Sequence, residues 1–199
     1  MTSTHPDRTA QQDLARRRRE YAEAAMRAQV PQELYPLHMR PDNAQPSAEE
    51  LASVTPFTRL PLPLAPYTKY SPPRLRPPRF EYGFPITEER VIDFWKRKEP
   101  DSVYGFGRDP FFDGALNVCT FTAACGYLTE EIGWVVVFKF VCNATPDGGH
   151  VISMCDNYEA VSRGGRPEQQ HIAKLRELLA LPPETKPKWY INAAECEWS

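Results

Sequence analysis

Hydrophobic and polar positions fall into three regimes along the chain. From about Asp7 to Gln29 the residues are mostly good helix formers, with Asp7 placed to cap them. The apolar face of this stretch is thin, consisting of Leu14, Tyr21, Ala25 and Ala28 with Arg18 in the same row. The pattern predicts a helix that buries little by itself, either a solvated arm or an element needing a partner surface. From Pro31 to Pro85 apolar residues stand singly between prolines, a spacing that forbids long helices and central strands. Ser47 and Glu50 have the spacing of a capping box, which predicts one short helix there. Pro56 to Pro78 reads as polyproline II carrying Phe57, Leu60, Leu62, Leu64, Tyr67 and Tyr70. An extended segment with that many apolar side chains is expected to lie along a surface, its own domain's or a neighbour's.

From Phe84 onward the pattern is that of a packed domain. Thr87 is expected to cap a helix through Lys98, with Glu88 and Glu89 at its positive end and Lys96, Arg97 and Lys98 at its negative end. Ile86 and Val91 have the spacing of a hydrophobic staple. Asp101 to Gly114 is a loop rich in glycine and aromatics, with Tyr104, Phe106, Phe111 and Phe112 as its large side chains. Three strands are predicted, over Leu116–Tyr127, Trp134–Cys142 and Val151–Asp156, with a turn at 144–149 between the last two. A helix over Pro167–Leu181 carries the stripe Ile172, Leu175, Leu178 and Leu179, and Lys188–Trp198 is expected to add an edge strand. The implied fold is α+β, a small antiparallel sheet of three to four strands with helices packed on one face. It is preceded by a basic helical arm (1–30) and a proline-rich extended segment (31–83), leaving 84–199 as the compact domain.

Composition sharpens this division. Fourteen of the 21 prolines lie between Pro31 and Pro100, and no glycine precedes Gly83. Residues 1–80 carry 12 Lys/Arg against 8 Asp/Glu, whereas residues 81–199 carry 12 against 18. A net charge of −2 argues against a dedicated nucleic-acid binder. No run approaches the roughly 18 apolar residues of a membrane span, and the N-terminus has no apolar signal region. These features place the protein inside the cell, in cytoplasm or nucleus, with a mitochondrial destination left open by the arginines near the start. Five cysteines, an odd number, are read as buried reduced thiols.

Several residues invite a chemical reading. Arg163-Gly164-Gly165-Arg166 runs into the last predicted helix and could cradle a phosphate or carboxylate; the plainer reading is an ordinary turn with solvated arginines. Lys139 lies in an otherwise apolar strand, with Asp156 a partner across the predicted hairpin if the amine is buried; the plainer reading is a side chain that snorkels to water. His150, Cys155 and Asp156 are close in sequence, but alternation along a strand puts Cys155 on the opposite face from the other two. Arg16 to Arg19 is read as a solvated helix face balanced by Glu20 and Glu23. No metal-ligand spacing, phosphate loop or cofactor fingerprint is present, so no catalytic residue, metal or cofactor is assigned.

The expectation is therefore a non-enzymatic interaction protein whose proline-rich arm docks on a protein partner or a second copy through Phe57, Leu60, Leu62, Leu64, Tyr67 and Tyr70. On that reading, deleting residues 1–80 removes association and leaves the domain folded. The alternative is a small enzyme or ligand-binding domain that recognises an anionic small molecule. Its pocket would lie between the 104–113 loop and the last helix, with Arg163 and Arg166 as its anchors.

Overall fold

The computed structural model describes residues 8–67, 75–100, 118–145 and 148–199. Its centre is a four-stranded antiparallel sheet in the order β2-β3-β1-β4, built from β1 (Phe80–Pro85), β2 (Val137–Thr145), β3 (Gly148–Asp156) and β4 (Lys188–Ile191). Helices α3 (Glu88–Lys98) and α4 (Val118–Ile132) connect β1 to β2, while α5 (Asn157–Ser162) and α6 (Gln169–Leu178) connect β3 to β4. Two crossovers around a β2–β3 hairpin give the split β-α-β order of a ferredoxin-like layout. Helices α1 (Arg8–Gln29) and α2 (Ala48–Ser53) precede it, with three single 3-10 turns between Gln32 and Leu64.

The sheet curls until its two edges touch. Val141 of β2 forms an antiparallel bridge with Asn192, just past β4, and the Ala193 N–H donates to the Phe140 carbonyl at 3.0 Å. A bulge in β3 opposite Tyr82 and Gly83 contributes to this curvature. At that point Gly83 is obligatory: a Cβ there would lie 2.0 Å from the Ile152 carbonyl oxygen. Register puts Phe80, Tyr82, Phe84, Ile152, Trp189 and Ile191 on the outer face, where helices cover them. The other face holds Val141, Val151 and Tyr190, together with a buried carboxylate. Glu81 is 2% exposed and accepts one hydrogen bond on each oxygen, from Ser153 Oγ and Asn192 Nδ2, both at 2.7 Å.

Local signals explain most elements. Thr87 Oγ1 accepts the Arg90 N–H at 3.3 Å, and Ile86 and Val91 are both buried against the start of α3. Ser47 and Glu50 form the full capping box of α2. Asp156 and Glu159 form another, which starts α5, a helix the sequence reading did not anticipate although the Asp-x-x-Glu spacing is present.

Five expectations require correction. The described part of the predicted strand Leu116–Tyr127, from Val118 on, is instead helix α4. Its β-branched and aromatic content suggested a strand, but Phe121, Ala124, Cys125, Leu128 and Ile132 recur at helical spacing and all are buried. The buried face of α1 is Ala22 and Met26, continued by Val30, while Leu14 and Tyr21 are exposed. The proline spacing up to Pro85 predicts no central strand, yet Phe80–Pro85 is the central strand β1, because no proline interrupts it before its last residue. Lys139 stands opposite Val151 and is half-buried, while Asp156 pairs with Arg79. The final strand stops at Ile191.

The proline-rich segment packs on the outer face of the curled sheet. Met26, Val30, Leu34, Met39, Leu51, Val54 and Leu64 belong to one core with Phe80 and Ile191. Having few backbone partners of its own, the segment is pinned by buried side chains. Asn143 Nδ2 donates to the Val54 carbonyl at 3.0 Å, and Asn157 Nδ2 donates to the carbonyls of Leu64 and Pro78 at 3.1 and 3.0 Å. Trp198 Nε1 donates to the Leu34 carbonyl at 2.9 Å. The expected boundary at 83/84 falls inside β1.

Candidate functional site

An apolar opening lies between α4 and β2. The curl of the sheet pairs β2's outer edge with Asn192 and Ala193 only at Phe140 and Val141, leaving the run from Val136 to Phe138 beside helix α4. Two α4 side chains answer that edge. Thr129 Oγ1 accepts the Val136 N–H at 3.1 Å, and the Phe138 N–H lies beside the Cys125 sulfur. The spacing has a geometric reason. Four helix residues rise about 6 Å, and two strand residues span about 6.6 Å, so i and i−4 on the helix match i and i+2 on the strand. Burial pushes the Cys125 thiol up to about 11, with the Phe138 N–H opposing that rise, so this sulfur is a structural acceptor and no nucleophile.

One turn further toward the start of α4 the matching ends, because Phe121 has no polar atom to offer. Its ring instead stacks on Phe138, with centroids 4.2 Å apart. Here the helix and strand enclose a cavity of about 770 Å3 lined by Phe121, Cys125, Gly126, Val136, Val137, Phe138 and Phe140. That is the size range of ligand sites in general. Phe140 is 62% exposed and Val137 is 41% exposed, so the opening has an apolar lip. Glu88 and Glu130 are its charged lining residues among the described residues, where no basic side chain lines it. His150 sits between the Phe138 and Phe140 rings with its Nε2 3.7 Å from Glu88.

Gly126 is the informative residue of this groove. It lies in the interior of α4, where glycine costs about 1 kcal/mol relative to alanine. Such a residue ordinarily admits a close neighbour, yet a Cβ added here would meet nothing within 4 Å. The glycine thus keeps the groove floor open without serving any packing contact among the described residues.

The sequence-predicted sites sit elsewhere. Arg163 is at the C-terminal end of α5, where its Nη2 contacts Glu159 Oε1 at 3.2 Å and its guanidinium lies 5.7 Å from the Trp134 ring centroid. Arg166 lies 5.2 Å from the Tyr82 centroid. Gly164 takes the left-handed conformation that ends α5, and Gly165 follows it. Helix α6 begins only at Gln169, after Glu168, so Arg163 caps the end of α5 while Arg166 stands in the link between the two helices. Of the proposed docking residues, Leu64 is fully buried, and Phe57 and Leu60 pack against the core, Phe57 5.9 Å from Phe80 between centroids. Leu62 and Tyr67 face outward at 47% and 76% exposure. Tyr70 and the whole 104–113 loop lie outside the described residues.

Among the described residues no three His, Cys, Asp or Glu side chains gather as metal ligands, and no helix is long and apolar enough to cross a membrane. Cys155 is buried, with its thiol pushed up to about 12, chiefly by that burial. Sequence reasoning missed the groove because it took α4 for a strand. The available signal was the helical recurrence of Phe121, Cys125, Leu128 and Ile132 across an unexplained glycine. Compared with known proteins, the chain matches no family model, no curated protein and no solved structure.

Proposed function

We propose that this protein is a non-enzymatic binding module whose α4–β2 groove receives a short segment of a protein partner. The segment would carry two or three large apolar side chains and a lysine or arginine. Gly126 is the observation behind this reading: the chain tolerates a destabilising residue in mid-helix whose one visible effect is to leave the groove open. The apolar lip at Val137 and Phe140 supplies contact area, and Glu88 and Glu130 supply charge complementarity to a basic residue.

A random twelve-residue peptide library displayed on phage tests the reading, with the full chain as bait and Gly126→Phe as counter-bait. Enriched peptides should pair large apolar residues with Lys or Arg and bind Gly126→Phe at least about tenfold more weakly. Reversing the rim with Glu130→Lys should weaken them further at low salt than at high salt. Peptides that bind Gly126→Phe equally well would refute the proposal. So would self-association of the chain abolished by the same substitution, since a second copy would then be the occupant.

A further inference from the structure

Among the described residues, both edges of the sheet are already covered. Along β2 the Val136 N–H is taken by Thr129 Oγ1 at 3.1 Å, and the Phe140 carbonyl is taken by the Ala193 N–H at 3.0 Å, beside the bridge from Val141 to Asn192. Along β4 the Trp189 N–H donates to the Phe57 carbonyl at 2.8 Å, and the Trp189 carbonyl accepts the Phe57 N–H at 3.1 Å. The proline-rich segment therefore closes that side. A strand added beside Val136 would have to displace α4, which is held by Phe121, Ala124, Cys125, Leu128 and Ile132, all buried in the core. Recognition by strand addition needs a row of unclaimed backbone groups, and this sheet does not supply one.

The α4 wall of the groove has a profile that a helix fits. Thr122, Gly126 and Glu130 stand at i, i+4 and i+8, a single row, and all three are exposed. The row carries a short side chain, then none, then a carboxylate. Nothing stands up at its middle, so a ridge of side chains on a partner helix can settle across Gly126. Val137 and Phe140, both exposed, face it from β2.

Resting on the reading of this groove as a partner site, we infer that the partner segment docks as a cationic amphipathic α-helix and not as a strand. Its apolar residues at i, i+3, i+4 and i+7 enter between Gly126 and the lip formed by Val137 and Phe140. A lysine or arginine beside that face meets Glu130 or Glu88, the lining charges of the groove. A docked helix satisfies its own backbone groups, so it asks nothing of the covered strand edge.

Two peptide libraries displayed on phage test this, with the full chain as bait and Gly126→Phe as counter-bait. One randomises the i, i+3, i+4 and i+7 positions of an alanine-rich helical scaffold about eighteen residues long. The other randomises alternate positions of an equally long scaffold with proline at every fourth residue, which forbids a helix. Glu130→Lys, an exposed change that leaves the core untouched, is a second counter-bait. Binders weakened at least about tenfold by Gly126→Phe should come from the helical library and carry Lys or Arg, and Glu130→Lys should weaken them as well. Proline at the centre of such a peptide should cost about a hundredfold in affinity. Gly126→Phe-sensitive binders from the proline library, or helical-library peptides that keep their affinity with a central proline, would overturn the helix and leave the groove standing. If neither library yields a binder sensitive to either substitution, the groove reading falls and takes this inference with it. Self-association of the chain that Gly126→Phe abolishes would overturn the inference too, by making a second copy the occupant.

Discussion

Gly126→Ala separates a glycine kept for packing from one kept for an open groove. Gly126 lies in the interior of α4 and is absent from the positive-φ residues, so alanine adopts its backbone conformation without strain. Among the described residues the added Cβ meets nothing within 4 Å, so it neither clashes with them nor buries appreciable apolar area. What remains is the propensity difference, about 0.8–1.0 kcal/mol in favour of alanine. For a chain of this length that corresponds to a rise in melting temperature of roughly 2–4 °C. Urea unfolding at 25 °C should show a higher midpoint with an unchanged slope, since the surface exposed on unfolding is nearly the same. Gly83→Ala is the internal contrast. Its Cβ would stand 2.0 Å from a backbone oxygen that cannot yield without breaking the β1–β3 ladder. That variant should lose more than about 3 kcal/mol or fail to fold. A Gly126→Ala protein less stable than the parent would refute the reasoning, because it would mean that a neighbour occupies the space the structure leaves open.

Three further outcomes follow from the same contacts. Glu81→Ala strands the buried Asn192 amide and leaves Ser153 only its longer bond to the Cys155 carbonyl at 3.3 Å, and should cost about 2 kcal/mol in urea unfolding. Burial holds the thiols of Cys125 and Cys142 at about 11 against an ordinary 9.0, so the folded state keeps protons that the unfolded chain releases. Stability should therefore be level with respect to these groups below about pH 9 and fall between pH 9 and 11. A Cys125→Ala, Cys142→Ala double variant that declines just as steeply in urea unfolding across that window would contradict this. Residues 84–199 alone lack most of β1, the strand that joins β3 to β4, and should show no cooperative melt, whereas removing residues 1–20, of which 11–20 are all exposed, should leave one. Circular dichroism of both fragments decides this.

Short-range signals told most about the elements themselves. Capping pairs at Ser47/Glu50 and Thr87, the staple at Ile86 and Val91 and the stripe of α6 all act within a few residues. They are legible because the energy they carry is local. An α+β chain with an antiparallel sheet was readable for the same reason. Helix α4 was misread because its Val, Thr and Phe content favours strands, and only burial of one helical face overrides that preference. The curl of the sheet, the bridge from Val141 to Asn192 and the burial of Leu64 depend on residues far apart in the chain. Polyproline spacing announces an extended segment, but what covers it is decided by two asparagines, Asn143 and Asn157, that lie some ninety residues further on. The groove belongs wholly to tertiary structure. It exists because an i, i−4 pair on α4 matches alternate amides of β2 and then stops matching at Phe121, beside a glycine whose empty space no sequence pattern displays.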